Sequence, residues 1–365
     1  MRQIVAILLL AALAVALPGH PRPQEPEKAA DTVTTGVSMV LVNVTVLTSY
    51  GFPVAGLKAD NFKVFDNGQE IAITAFQEAA QRLNIVMIID TSGSTYKQMS
   101  LIKQGAIDFL RRLQDTRAQD RLAIVHFNDD VSLLADFELG WREKAALVQD
   151  RLDAMGGTAL YDAIFLSTRD VIQRTPGRRI VVLYTDGIDN KSLKDFSDAF
   201  TAALASDATF FILTVDNMKQ ALADANKDIY QLSRRQYYEH AQGEAASRTG
   251  RVEPQWTQSM HQQYPAPAVL ETSYRLAHQR LARLAETSGG KFFKVSSYEE
   301  LPGIYRAIAA ELPYTYTLGY QPDFATFKPG EFHTIEVRVD DPALRPRYRR
   351  GYYYNAPPAA EPTKP

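Results

Sequence analysis

The hydrophobic pattern changes period twice along the chain. In VSMVLVNVTVL, residues Val40, Val42, Val44 and Val46 alternate with their neighbours and fall on one face of a strand. FKVF (62–65) and EIAITAF (70–76) continue that rhythm, with Asp66-Asn67-Gly68 between them as a hairpin signal. From residue 84 the pattern is different. NIVMIID (84–90), RLAIVHF (121–127), RRIVVLYTD (178–186) and ATFFILTV (208–215) are continuous apolar runs, as strands buried on both faces require. Met99, Ile102, Ala106, Phe109, Leu110 and Leu113 recur at helical spacing, and further helices are predicted over 142–154, 159–173, 194–206, 276–287 and 298–312. SLLADF (132–137) reads as an edge strand and KFFKV (291–295) as the last strand of this series. Beyond it the period returns to two. Tyr314, Tyr316, Leu318 and Tyr320 share one side of YTYTLGY, Ile335, Val337 and Val339 share one face of HTIEVRV (333–339), and RRGYYY (349–354) closes the ordered chain.

Strands alternating with helices over 84–312 predict an α/β fold with a doubly wound, mostly parallel sheet. The β segments 33–77 and 314–354 are each too small to stand alone in water. They are expected to pair into one small β-sandwich into which the α/β domain is inserted, since domain termini often lie close together. Residues 217–275 break the alternation with eight glutamines where a short connection would suffice. They read as an insertion, partly helical and partly mobile.

The ends carry a destination. Arg2 precedes an unbroken apolar run from Ile4 to Leu17, and Ala14-Val15-Ala16 has the small-x-small form of a cleavage site. Residues 1–16 are therefore expected to be a signal peptide, 17–32 a flexible Pro-rich linker and 355–365 a disordered tail. Fourteen apolar residues fall short of the roughly 20 that span a bilayer, so no transmembrane helix is expected after cleavage, although an uncleaved anchor is the alternative. The expectation is an exported protein, periplasmic or extracellular and peripheral to the envelope. Composition narrows the chemistry. Forty Lys and Arg against 42 Asp and Glu give a net charge of −2, and basic residues never run beyond adjacent pairs, so no nucleic-acid partner is expected. The absence of cysteine removes disulfides, thiolate metal sites and Cys nucleophiles together. The six histidines never occur at i,i+3 or i,i+4 spacing, which argues against a His-based zinc site.

The chemistry that remains gathers at one sheet edge. Strand 84–90 ends in Asp90-Thr91-Ser92-Gly93-Ser94, directly before a helix, and ligands of open α/β sheets bind at the carboxyl ends of their strands. An extended turn would direct Asp90, Ser92 and Ser94 to one point, with Ser94 at the helix N-cap. A carboxylate and two hydroxyls are hard ligands suited to Mg²⁺ or Mn²⁺. Taken alone the motif is as well explained by caps and turns. Gly156-Gly157-Thr158 then offers a hydroxyl on a flexible loop, and Asp186-Gly187 a second carboxylate at the end of another buried strand.

With Asp90, Ser92, Ser94, Thr158 and Asp186 set in IIDTSGS, GGTALYDA and LYTDGIDN, the chain resembles the von Willebrand factor A (VWA) domain and its metal-ion-dependent adhesion site. The resemblance extends over about 84–312, including LARLAETSGGKFFKV, while IAAELPYTYTLGY and VNVTVL…NFKVFDNG look like the exported bacterial VWA-related family of acidobacterial type. It implies a divalent cation, Mg²⁺ first with Mn²⁺ and Ca²⁺ as alternatives. It also implies a protein partner that completes the metal shell with an Asp or Glu carboxylate. Ser92 and Ser94 would be direct ligands, Thr158 direct or conformation-dependent, and Asp90 and Asp186 direct or through water.

Other polar residues receive plainer readings. Asp189 is expected to be a solvated loop residue, His126 a hydrogen-bonded core histidine, and Asn128-Asp129-Asp130 a hairpin turn. No G-x-S-x-G, P-loop, G-x-G-x-x-G or H-E-x-x-H motif occurs. The expectation is a non-enzymatic protein-binding module, for adhesion or scaffolding. A metal-assisted hydrolase using the same ion and a structural envelope protein with a vestigial site are the alternatives.

Overall fold

The computed structural model describes residues 39–78, 82–173, 175–215 and 267–354. The expected signal peptide, linker and tail, and residues 217–266 of the expected insertion, lie outside the described residues.

The first four strands are β1 (Val40–Leu47), β2 (Phe62–Asp66), β3 (Gln69–Ile71) and β4 (Ile73–Glu78). β1 buries Val40, Val42, Val44 and Val46, the face expected from their alternation. β2 and β3 form the expected hairpin: Asp66 pairs with Gln69 across Asn67 and Gly68, both at positive φ, which is the two-residue turn that matches strand twist. The segment 70–76 is not one strand, however. The chain breaks at Ala72, so that β3 stays with β2 while β4 joins the other layer of the sandwich.

The central region runs β5 (Leu83–Asp90), α1 (Met99–Thr116), β6 (Arg121–Phe127), β7 (Val131–Ala135), α2 (Trp141–Arg151), α3 (Leu160–Leu166), β8 (Arg178–Thr185), α4 (Phe196–Ala205), β9 (Thr209–Val215), α5 (Pro267–Thr287), β10 (Lys291–Val295) and α6 (Leu301–Glu311). Its six-stranded sheet has the order β10-β9-β8-β5-β6-β7, parallel throughout except for the antiparallel edge strand β7. Alternate residues of β5 serve opposite cores. Ile85, Met87 and Ile89 pack with α1, α2 and α6, whereas Val86 and Ile88 pack with α3, α4 and α5. A doubly wound sheet thus follows from strands with no polar face. α5 starts at Pro267 rather than at 276, so residues 267–275 are helical. α3 passes into a π-helical turn over Ser167–Ile172, where the Thr168 hydroxyl donates to the Ile164 carbonyl and interrupts the regular ladder.

The chain closes with β11 (Tyr316–Tyr320), β12 (Phe332–Val339), β13 (Arg345–Tyr348) and β14 (Gly351–Tyr353). β13 had no sequence signal, and Tyr314 lies outside β11, exposed. One layer has the order β13-β1-β11-β4 and the other β14-β12-β2-β3, so each contains strands from both ends of the chain. Val44, Val64, Leu318 and Val337 meet in one core between the layers. The Asp66 carboxylate crosses that core, accepting hydrogen bonds from the hydroxyls of Tyr320 (2.7 Å) and Tyr352 (2.8 Å) and lying 3.1 Å from Nδ1 of His333. The α/β region is covalently inserted in a sandwich that its own flanks build.

Candidate metal centre

The sheet order reverses direction at β5, which has β8 on one side and β6 on the other. β5 and β8 run in register to Ile89 and Tyr184, so Asp90 and Thr185 leave the sheet side by side at its carboxyl end. This is the switch point at which such sheets bind ligands. Asp90 is wholly buried. Its two oxygens are held separately, Oδ1 by the Ser92 amide at 2.9 Å and Oδ2 by the Thr185 hydroxyl at 2.7 Å.

After Thr91 the chain does not stay extended. Residues Gly93–Gln98 form a 3-10 turn before α1, with Ser92 rather than Ser94 at its N-cap. The tight turn still brings the two serines together, their Oγ atoms 3.0 Å apart. The Ser94 hydroxyl donates in turn to Oδ2 of Asp186 at 2.7 Å, and the other Asp186 oxygen accepts from the Ile188 amide at 3.2 Å. Asp90, Ser92, Ser94 and Asp186 therefore form one connected polar cluster.

Thr158 arrives by backbone. Its amide donates to the Asn190 side chain and its carbonyl accepts from the Asn190 and Lys191 amides. The Gly93 amide donates to the Gly156 carbonyl, and the Met155 amide to the Thr91 carbonyl. The three loops are thereby tied pairwise. Among the described residues no hydrogen bond joins the buried Thr158 hydroxyl to the other four side chains. Gly156 adopts φ +70°, and a Cβ there would meet the Asp129 carboxylate, so the loop needs glycine twice over.

The electrostatics are unusual for two carboxylates. Burial, and next the charge of Asp186, push the Asp90 carboxyl up to about 7, against hydrogen bonds from Ser92 and Thr185. Asp186 is also raised, by burial, and this is offset by its bonds from Ser94 and Ile188 and by His278. Among the described residues no Lys or Arg contributes to holding either charge. His278 of α5 sits with Nε2 3.3 Å from the Asp186 carbonyl, to which it donates.

The supporting residues extend what the sequence offered. Thr185 carried no motif signal, though strand alternation next to Asp186 could have suggested it. Asp189 is not simply solvated: it accepts from the Tyr161 amide and the Ser192 hydroxyl and fixes the start of α3. Asn128 and Asp130 make the expected turn, but Asp129 reaches across to the Gly157 amide at 3.0 Å. His126 lies half-buried with Nδ1 3.3 Å from the Thr91 hydroxyl.

Residues 84–244 match the family model of the von Willebrand factor type A domain. The central sheet with its two helical layers has the VWA fold, and the antiparallel sandwich is added to it. Among solved structures, proximal thread matrix protein 1 from the mussel byssus is 14% identical, covering 71% of this chain and 51% of that one, at a TM-score of 0.44. A form of that protein with a zinc-occupied MIDAS motif is also 14% identical over 68% of this chain and 49% of its own, at 0.43. A von Willebrand factor type A protein from Catenulispora acidiphila is 13% identical, covering 81% and 74% of the two chains, at 0.42. The chain spans about half the length of the mussel structures it matches. No curated protein matches it.

Proposed function

We propose that the protein is an exported, non-enzymatic binding module that engages a protein partner through a divalent metal held by Asp90, Ser92, Ser94, Thr158 and Asp186. The observation that carries this reading is the buried pair Asp90 and Asp186, bridged through serine hydroxyls and lacking any Lys or Arg among the described residues. Buried carboxylates without a cation are costly. A divalent ion supplies the missing charge. The donors are all oxygen, which fits Mg²⁺ first and Mn²⁺ or Ca²⁺ next, and offers nothing specific to a softer ion.

Two protein carboxylates balance the charge of a divalent ion but fill few of its coordination positions, and an Asp or Glu of the partner can bind at the open ones. The rim favours a macromolecular partner. Tyr96 (73% exposed) follows the first loop, Met155 (59%) precedes the second and Leu193 (96%) follows the third. A hydrolase reading has less support, because the Nε2 of His278 is engaged with the Asp186 carbonyl. The flanking sandwich accords with the exported bacterial VWA-related family of acidobacterial type. Among the described residues no helix is long and apolar enough to cross a membrane.

The test is a pull-down from bacterial envelope extract with the full chain, in Mg²⁺ and then in EDTA, repeated with Ser94→Ala and Asp186→Ala. Partner recovery should require both the metal and the intact residues. Equal recovery in EDTA would refute the metal-bridged mode, and turnover of esters or phosphoesters would favour the hydrolase.

A further inference from the structure

β8 ends at the candidate metal centre and begins at a second polar site. Arg178, its first residue, lines a cavity of about 250 Å³ where the α/β region meets the sandwich. Seven residues of strand, about 23 Å, separate it from Thr185, so the two sites lie at opposite ends of the sheet. Arg179 and Asp207 come to this cavity from the α/β region, and Asn43, Thr317 and Arg349 from the sandwich.

The cavity is rich in guanidinium groups with too few acceptors. Arg178 is only 8% exposed. One of its terminal nitrogens donates to the Leu312 carbonyl at 2.9 Å, but the buried Nε has no partner among the described residues. Its basic neighbours are neutralised elsewhere, Arg117 by Asp120 and Arg347 by Glu311. Among the described residues Arg178 has no such carboxylate in contact, and only Asp120 attracts it from further off. Burial, followed by repulsion from Arg117 and Arg347, pushes it down to about 9, so it remains charged at neutral pH.

Arg349 repeats the pattern. Its terminal nitrogens reach Asp207 and the Leu41 carbonyl, while its buried Nε also lacks a partner. Arg179 is anchored through Nε to the Thr175 carbonyl and through one terminal nitrogen to the Ser206 carbonyl. Three arginines thus line the cavity against the single carboxylate of Asp207. A buried guanidinium donor left without an acceptor destabilises the fold. A guanidinium presents paired N–H groups that can hold an oxyanion in a two-pronged hydrogen bond.

We infer that this cavity is an anion site for a small tetrahedral oxyanion of the phosphate or sulfate class, held between the α/β region and the sandwich by Arg178, Arg179 and Arg349. The volume admits one such group with its waters and excludes a folded partner. Asn43, whose carbonyl oxygen accepts from Thr317, leaves its amide N–H groups available on the sandwich side. Because both regions contribute donors, a bound anion braces a junction that the Arg349–Asp207 and Arg347–Glu311 ion pairs already bridge. The inference is independent of the metal reading, since it shares no residue with it.

The probes are inorganic phosphate, sulfate and acetate, each compared with chloride at matched ionic strength on the full chain. Melting temperature and titration calorimetry are the readouts. Phosphate and sulfate should raise the melting temperature above the chloride value, and acetate should not. Arg178→Gln and Arg179→Gln should each weaken phosphate binding about tenfold or more. Asp186→Asn should leave it unchanged. Should Arg178→Gln fail to fold, Arg179→Gln decides alone. A phosphate effect no larger than that of chloride would overturn the inference. So would acetate binding without phosphate binding, or unchanged phosphate affinity in Arg179→Gln.

Discussion

Replacing Asp186 by Asn separates a metal site from a mere set of turns. The substitution is nearly isosteric. Its carbonyl oxygen still accepts from the Ile188 amide, and the Ser94 hydroxyl can turn from donor to acceptor. What disappears is a charge beside Asp90. Moving Asp90 from 3.8 to about 7 corresponds to roughly 4 kcal/mol against folding at pH 8, most of it burial and the next share the charge of Asp186. Removing that share, and the burial penalty of Asp186 itself, should stabilise the metal-free protein by about 1–3 kcal/mol. At about 2 °C per kcal/mol the variant should melt some 2–6 °C higher in EDTA. Metal must reverse this. At a hundredfold excess over Kd the wild type gains about 2.7 kcal/mol, whereas a variant binding tens of times more weakly gains under about 1 kcal/mol. Calorimetric melts in EDTA and in Mg²⁺ should therefore close or invert the gap. A lower melting temperature for the variant in EDTA, or equal gains in Mg²⁺, would refute the reasoning.

Three more outcomes follow from the same structure. The folded Asp90 carboxyl holds a proton that the unfolded chain releases, and Asp186 is shifted in the same direction, so in EDTA the melting temperature should fall as pH rises from 5 towards 8, and excess Mg²⁺ should flatten or reverse the slope; a rise with pH in EDTA would contradict it. Asp66→Ala leaves two buried tyrosine hydroxyls and His333 without their acceptor and should cost about 3–5 kcal/mol in urea unfolding, with a loss under 1 kcal/mol counting against a structural role for the network. Deleting 314–365 removes β11 from between β1 and β4 and should cause aggregation on size exclusion, while 84–312 alone stays soluble; a soluble, cooperatively folding 33–77 fragment would argue against the shared sandwich.

The fold was legible where one strand serves one environment. β5, β8 and β9 are buried on both faces and read directly as apolar runs, and β1 as strict alternation. Legibility failed where a strand changes partners. Residues 70–76 look continuous in hydropathy, yet the chain crosses between layers at Ala72, a tertiary choice that local pattern does not encode. β13 escaped notice because Arg345-Pro-Arg-Tyr lacks apolar alternation and is held by pairing with β1. At the candidate site, the spacing of Asp90, Ser92 and Ser94 indicated convergence, but the 3-10 turn that achieves it was not visible in the residue types. The anion cavity had no signature at all. Arg178 and Arg179 are neighbours in sequence, but Arg349 lies 170 residues further on and joins them only because the sandwich closes over the start of β8.

How the loops are tied bears on what metal binding would cost. Asp90 is fixed by Ser92 and Thr185, Thr158 by Asn190, Gly157 by Asp129 and Gly93 by Gly156, each through a hydrogen bond between protein groups. A site whose backbone is ordered beforehand loses little conformational entropy on binding, so more of the electrostatic attraction is retained as affinity. The movable part is small: the Ser92–Ser94–Asp186 chain of hydrogen bonds, whose hydroxyls must turn their lone pairs inward to face a cation. That geometry assigns different roles to the two halves of the motif. Loss of a tie such as Asn190→Ala should weaken metal binding by adding an ordering cost while leaving every oxygen donor in place. Loss of Ser94 removes a donor and should do so without loosening the loops. Hydrogen exchange of the Thr158 and Gly93 amides distinguishes them: faster exchange in Asn190→Ala but not in Ser94→Ala is the expected pattern, and equal exchange in both would mean that the loops are not preorganised by these bonds.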